Sequence, residues 1–237
     1  MVAIVENKLY EYCNSLNLPI QELSILLSFS GGIDSTVLAS ILIELKAKHG
    51  LKLNLIHFNH NIHIKSKETQ LFCQLFAQKN NVDIFIKKFV FNMKGNFEGC
   101  AREKRYYELE HFASKLDIQI IFTAHHLDDQ IETLYMKMLD QSDWISKIGI
   151  RESIGNIRRP LLYVRKDLIK NIAKERKLTW IEDPTNDDIS IRRNNIRKFL
   201  LPKALKTDLN IINELLHNAS SNQLRMQNIV STLDRNK

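Results

Sequence analysis

Short apolar runs alternate with longer stretches of helix length through the first 140 residues of the chain. Residues 25–29, 53–58, 82–89 and 118–123 are apolar and end in turn or polar residues, which predicts four buried strands. Between them, residues 35–48, 66–80 and 97–116 are long enough for helices. A further helix is predicted over residues 127–139. There Leu127, Ile131, Leu134, Tyr135 and Met138 recur at helical spacing and leave the acidic residues on another face. Strand alternating with helix predicts an α/β fold with a parallel, doubly wound sheet covered on both faces. Beyond residue 140 the pattern turns to loops and helices, the latter predicted over 166–177, 194–201 and 211–233. The chain's 237 residues suffice for one such domain with an appendage, and no repeat, low-complexity tract or Pro/Gly-rich linker interrupts them.

In sheets of this kind ligands bind beyond the carboxyl ends of the strands, near the point where strand order reverses. Three predicted strand ends are unusually polar: FSGGIDS, HFNHNIH and TAHHLDDQIE. The first holds two adjacent glycines in a chain that has only 7. Gly31 and Gly32 let the backbone turn tightly and approach a ligand, and the helix that follows points free N–H groups at the loop. The hydroxyls of Ser30 and Ser35 suit phosphate oxygens. Asp34 would repel a bare phosphate, but belongs beside one if a divalent cation such as Mg²⁺ lies between them. The bland alternative is a glycine turn in which Asp34 or Ser35 caps the helix. The loop lacks the Gly-Lys-Ser/Thr ending of a Walker A motif and the spacing of a dinucleotide-binding GxGxxG.

In TAHHLDDQIE, helical spacing lets Asp128 and Asp129 converge with Glu132 on one face. The cluster reads as a hydrated Mg²⁺ site, with a His/Asp/Glu zinc site or plain helix-dipole complements as alternatives. A third element, AREKRY, spaces Arg102 and Arg105 one helical turn apart, as phosphate-binding forks or as an ordinary charged face.

Charge adds a partner. The net charge is +7, and the excess is concentrated late: residues 147–177 hold ten Lys or Arg against three acids, and 192–206 hold six with none. This suits a nucleic-acid-facing surface, although solvated helix faces would look the same. Three scattered cysteines form no CxxC pair and no disulfide framework, which suits a reducing, cytoplasmic setting. No apolar run approaches the roughly 18 residues of a membrane helix, and no signal peptide is expected.

SGGIDS resembles the SGGxDS pyrophosphate loop of the PP-loop ATP pyrophosphatases, which share the adenine-nucleotide alpha-hydrolase fold. The order SGGIDS, HFNHNIH, AREKRY, AHHLDDQIET, RRPLL, WIEDPTND, RRNNIR is similar to that of the tRNA(Ile)-lysidine synthetase family over about residues 24–202. The resemblance implies ATP-dependent ligation of L-lysine to the wobble cytidine of tRNA(Ile) with a CAU anticodon. It also implies site residues. Ser30, Gly31, Gly32, Ile33, Asp34, Ser35 and His125 would hold ATP, with Asp34 on Mg²⁺. Arg102, Asp129 and Glu132 would serve catalysis with Asp34. Arg105, Asp128, Arg193, Asn194 and Arg197 would bind substrate together with Asp129 and Glu132. A catalytic domain over 1–202 and a short helical tail over 203–237 are expected.

Departures from the family pattern are His63 in place of an arginine, Asn61 in place of a glycine and Ile191 in place of a common tyrosine. Rival readings are a tRNA thiolase or amide-forming synthetase on the same fold, a stand-alone ATP-binding regulatory domain, or a non-catalytic RNA-binding relative. Thiolases of this type usually carry CxxC motifs, and decay to RNA binding would not require Asp34, Asp129 and Glu132 together.

Overall fold

Strand β1 (Ser24–Ser28) lies inside a six-stranded sheet in the computed structural model, which describes residues 2–16, 18–59, 65–88 and 97–235. Its neighbours are β2 (Lys52–Asn59) and β4 (Ile120–Phe122), both parallel to it, with Leu27 opposite Leu55 on one side and Phe122 on the other. Beyond β2 lies β3 (Asp83–Lys88), also parallel. Beyond β4 lie β6 (Ile157–Arg158), parallel, and β5 (Ser153–Ile154), antiparallel at the edge. The order β3-β2-β1-β4-β6-β5 reverses direction between β1 and β4, so the carboxyl ends of those two strands flank the switch point.

The uninterrupted apolar run of β1 follows from burial on both faces. Ile25, Leu27 and Phe29 join one core, and Leu26 joins the other, as the two-residue alternation of a strand requires. The first core includes residues of α1 (Val2–Asn14), α2 (Ile33–His49), α3 (Lys65–Lys79) and α6 (Lys166–Glu175). The second core sets Leu26, Ile56 and Ile121 against Leu109 and Ala113 of α4 (Phe97–Lys115). Each fully buried Leu or Ile contributes about 1.5–3 kcal/mol, which makes β1 the anchor of the sheet.

The chain divides into two compact units. The first, residues 1–125 and 152–182, holds the whole sheet with α1–α4 and α6. The second, residues 126–151 and 183–237, holds α5 (Leu127–Leu139), α7 (Arg192–Asn195), α8 (Leu201–Thr207) and α9 (Ile211–Arg235). Its core joins Leu134 and Tyr135 of α5 to Ile196, Leu215 and Ala219. The helix predicted over 194–201 is instead α7, a widened π turn at Ile196–Leu200 and the start of α8. Pro202 accounts for the break, because it offers no N–H to the preceding turn and its ring crowds the carbonyl four residues back. Among the described residues, no helix is long and apolar enough to cross a membrane.

Candidate functional site

After β1 the chain turns through Ser30, Gly31 and Gly32 into α2. Gly31 has φ +82°, and a Cβ there would meet Cys73 Sγ at 3.0 Å and the Phe72 ring at 3.2 Å. The left-handed backbone and the tight floor both call for glycine. Gly32 is the N-cap of α2 and no side chain caps the helix, so Asp34 and Ser35 do not play the capping role. The hydroxyls serve the loop instead. Ser35 O–H donates to the Gly32 carbonyl (3.0 Å), Gly32 N–H donates to Ser30 Oγ (3.2 Å), and the two hydroxyl oxygens lie 2.9 Å apart. The result is a preformed turn, ordered by two hydroxyls, at a helix N-terminus, the kind of place that suits phosphate oxygens.

Asp34, in the first turn of α2, is gripped by Lys166. The ammonium straddles the carboxylate, 2.6 Å from Oδ1 and 2.7 Å from Oδ2. Lys166 is the first residue of α6, and nothing in the sequence distinguishes it from the other basic residues of 147–177. The segment after α6 returns to the same loop, where Ile181 N–H donates to the Gly31 carbonyl (2.9 Å). Below the loop lies His57, only 4% exposed, with Nδ1 3.0 Å from the Phe29 carbonyl and 3.4 Å from Cys73 Sγ. A carbonyl can only accept, so Nδ1 carries the proton. Burial lowers the His57 pKa, with the bond to Phe29 acting in the other direction. Burial pushes the Cys73 thiol up to about 12.

After β4, Thr123 N–H donates to the Arg158 carbonyl (3.0 Å), and Thr123 Oγ1 lies 3.0 Å from His125 Nδ1, which fixes the ring. On α4, Arg105 is half-buried, while for Arg102 only the place in the helix is described. Arg159, buried within RRPLL, donates to the Tyr106 hydroxyl of α4 (3.1 Å). Asn61 and His63 lie outside the described residues.

In the second unit the acids of AHHLDDQIET form one ion cluster with the arginines of RRNNIR. Glu132 is 3% exposed, on the face of α5 that the apolar stripe leaves to the acids. Its carboxylate accepts from Arg193 Nε (2.9 Å), Arg197 Nε (2.5 Å) and Arg197 Nη2 (3.0 Å). Charge compensation explains its burial: two guanidinium groups replace the water it loses. Asp129 Oδ1 accepts from Arg193 Nη2 (3.0 Å). Its Oδ2 accepts from His126 N–H (3.0 Å), while Asp129 N–H donates to His126 Nδ1 (3.3 Å). This reciprocal capping box starts α5 and puts the His126 proton on Nε2. Asp128 is half-buried, with an oxygen 4.0 Å from His126 Nδ1.

Two further members of the motifs act on loops. The Asn194 amide donates to the carbonyls of Thr185 (2.7 Å) and Asp188 (2.9 Å), pinning the turn before α7. Gln130 donates to Ile148 O (3.2 Å) and accepts from Ile150 N–H (2.6 Å), holding the loop around Gly149. Among the described residues, no group of three or more His, Cys, Asp or Glu side chains gathers as a metal site. A divalent cation at the first loop would therefore rest on Asp34 and on phosphate oxygens, the arrangement Mg²⁺ adopts with polyphosphate substrates. Asp34 fits that role chemically, since both of its oxygens already hold a cationic group.

Residues 1–204 match the PP-loop domain family. Among curated proteins, the chain is 32% identical over 226 residues to a tRNA(Ile)-lysidine synthase of Histophilus somni, covering 93% of this chain and 52% of that protein. It is 36% identical over 207 residues to one of Persephonella marina, covering 84% and 45%. The chain thus spans about half the length of the curated relatives it matches. Among solved structures it resembles a U34-tRNA thiolase from Methanococcus maripaludis, with a TM-score of 0.74 at 14% identity, covering 93% of this chain and 78% of that one. An NH3-dependent NAD synthetase from Campylobacter jejuni gives a TM-score of 0.54 at 14% identity, covering 94% and 95%. At that identity the likeness is one of fold.

Proposed function

The chain belongs to the PP-loop domain family, which implies ATP use, and from that premise we propose that it ligates L-lysine to the wobble cytidine of tRNA(Ile) with a CAU anticodon. The reading is carried by the likeness to tRNA(Ile)-lysidine synthases over most of the chain.

The reaction has two steps. The cytidine C2 oxygen attacks the α-phosphorus of ATP and pyrophosphate leaves. The ε-amine of lysine then attacks C2, AMP leaves, and the amine gives up a proton. In the first unit, Ser30, Gly31, Gly32, Ile33 and Ser35 receive the phosphate chain at the start of α2, and His125 lies on the nucleotide side. When bound, Mg²⁺ on Asp34 supplies charge neutralisation for the phosphates. Arg102 and Arg105 answer negative charge developing on the phosphates or on the adenylated base.

In the second unit, Asp128 and Asp129 bind the ammonium groups of lysine and one of them takes the amine's proton, while Glu132, both of whose oxygens are held by arginines, orders the cluster behind them. Arg193 and Arg197 hold Asp129 and Glu132 in place, and Asn194 acts through the turn at 185–188. The wobble base must be unstacked to react, which an anticodon loop permits. The basic stretches 147–177 and 192–206 supply the sequence-independent attraction to RNA. The proposed setting is a reducing cytoplasm, which the scattered, unpaired cysteines suit.

The test is incubation with ATP, Mg²⁺, labelled lysine and unmodified tRNA(Ile). Label entering the RNA together with equimolar AMP supports the proposal. Pyrophosphate release that needs tRNA but not lysine, with sulfur rather than lysine entering the RNA, would favour a thiolase and refute it.

A further inference from the structure

Lys166 stands where a lysine is electrostatically disfavoured. It opens α6, and its ammonium lies against the first turn of α2, so it faces the positive end of two helix dipoles. Asp34 offsets that cost, with both carboxylate oxygens on one ammonium. Neither group is sealed in the core, since each side chain is 27% exposed. The backbone behind Lys166 is fixed. Ile169, Ile172 and Ala173 of α6 are fully buried, and Ile181 is bonded to Gly31 of the loop. Only the flexible four-carbon stem is left to move. Its carboxylate partner stands in the first turn of the helix that the Ser30–Gly32 turn leads into.

A carboxylate cannot keep the same two oxygens on an ammonium and on a divalent cation, because the two positive charges would repel at contact distance. We propose that Lys166 is a phosphate-binding residue held in reserve on Asp34. When a nucleotide triphosphate arrives with Mg²⁺, the cation takes Asp34 and the ammonium transfers to an oxygen of the β,γ-phosphate tail. The cationic site on Asp34 is thus filled in both states, and the loop does not collapse or repel its ligand between turnovers. The inference rests on the reading of the first unit as a nucleotide site, and it adds a phosphate-binding residue to that site.

The experiment is calorimetric titration of the full chain with ATP and, separately, with AMP, over a series of Mg²⁺ concentrations and without tRNA or lysine. The proteins are wild type, Lys166→Met and Lys166→Arg. At saturating Mg²⁺ the Met variant is expected to bind ATP about tenfold or more weakly, the effect of one lost charge-assisted hydrogen bond. AMP, which lacks the tail, should bind all three proteins alike. The Arg variant should hold ATP within a few fold of wild type. The Mg²⁺ concentration that gives half the full ATP affinity should fall in the Met variant, because the competitor for Asp34 is gone.

Unchanged ATP affinity in the Met variant overturns the proposal. So does an equal loss for AMP and ATP, which would make Lys166 a structural tie between α2 and α6. A Mg²⁺ midpoint that does not move overturns the exchange. If folded wild type binds no ATP, the nucleotide reading fails and takes the inference with it. If wild type binds ATP and transfers lysine while Lys166→Met is silent, only the inference fails.

Discussion

Replacing Glu132 by glutamine removes the charge on which the second unit's ion cluster closes. The side chain is buried and receives three N–H bonds from two arginines. Breaking a buried ion pair from one side costs roughly 3–5 kcal/mol, because the partner's charge is left uncompensated. Two features place the effect near the lower bound. The arginine side chains are 25% and 40% exposed and can recover some water, and Asp129 remains 3.0 Å from Arg193. We expect a loss of about 3 kcal/mol, or about 1.5 M in urea midpoint at an m-value near 2 kcal/mol/M.

The assay follows from the two tryptophans. Trp144 lies in the second unit, where Arg225 stacks 4.3 Å from its ring centroid, and Trp180 packs on the core of the first. In a Trp180→Phe background, tryptophan fluorescence in urea reports the second unit. Glu132→Gln should lower that midpoint. Adding Arg197→Gln should restore part of the loss, with a coupling of at least ~1 kcal/mol. An unchanged midpoint, or strict additivity in the double variant, would refute the claim that compensation keeps Glu132 buried. Loss of lysine transfer in a Glu132 variant must accordingly be read beside its stability.

Three further outcomes follow from the packing. Gly149, at φ +74°, would place a Cβ 2.6 Å from Gln130 Oε1, so Gly149→Ala should cost at least 1–2 kcal/mol in the same fluorescence assay. Burial raises the Cys13 and Cys73 thiols to about 12, so a maleimide at pH 7 should modify both only after denaturation, as peptide mapping would show. His57 is held below its ordinary value of 6.5, so above that pH the folded and unfolded chains bind the same proton count at this site. Below it the unfolded chain takes a proton that the fold refuses. Stability should fall as pH drops from about 6.5, more steeply in wild type than in His57→Gln by thermal melts.

The sheet was legible because β1 and its neighbours are buried on both faces and read as plain apolar runs. The edge hairpin was not. β5 and β6 have two residues each, too few for any period to register, and only the pair Gly155-Asn156 marks the turn. The phosphate loop could be read from its glycines, since Gly31 has both the positive φ and the close floor that exclude a side chain. Lys166 could not, because its pairing joins residues 132 positions apart and its local sequence is an ordinary basic helix start. The helix pattern of α5 set Glu132 apart from the apolar stripe but could not foresee its two arginine partners some 61 and 65 residues later. Asp129 reads as part of a cation-binding cluster, and the structure gives it, with His126, a share in starting the helix.

The proposed lysine transfer is decided at one base. Unmodified tRNA(Ile) would be incubated with the full chain, ATP, Mg²⁺ and lysine, digested to nucleosides, and the wobble nucleoside weighed by mass spectrometry. The expected product is cytidine heavier by one lysine less one water, absent when ATP or lysine is omitted. Unmodified cytidine at that position, from a protein that binds ATP and remains folded, would contradict it.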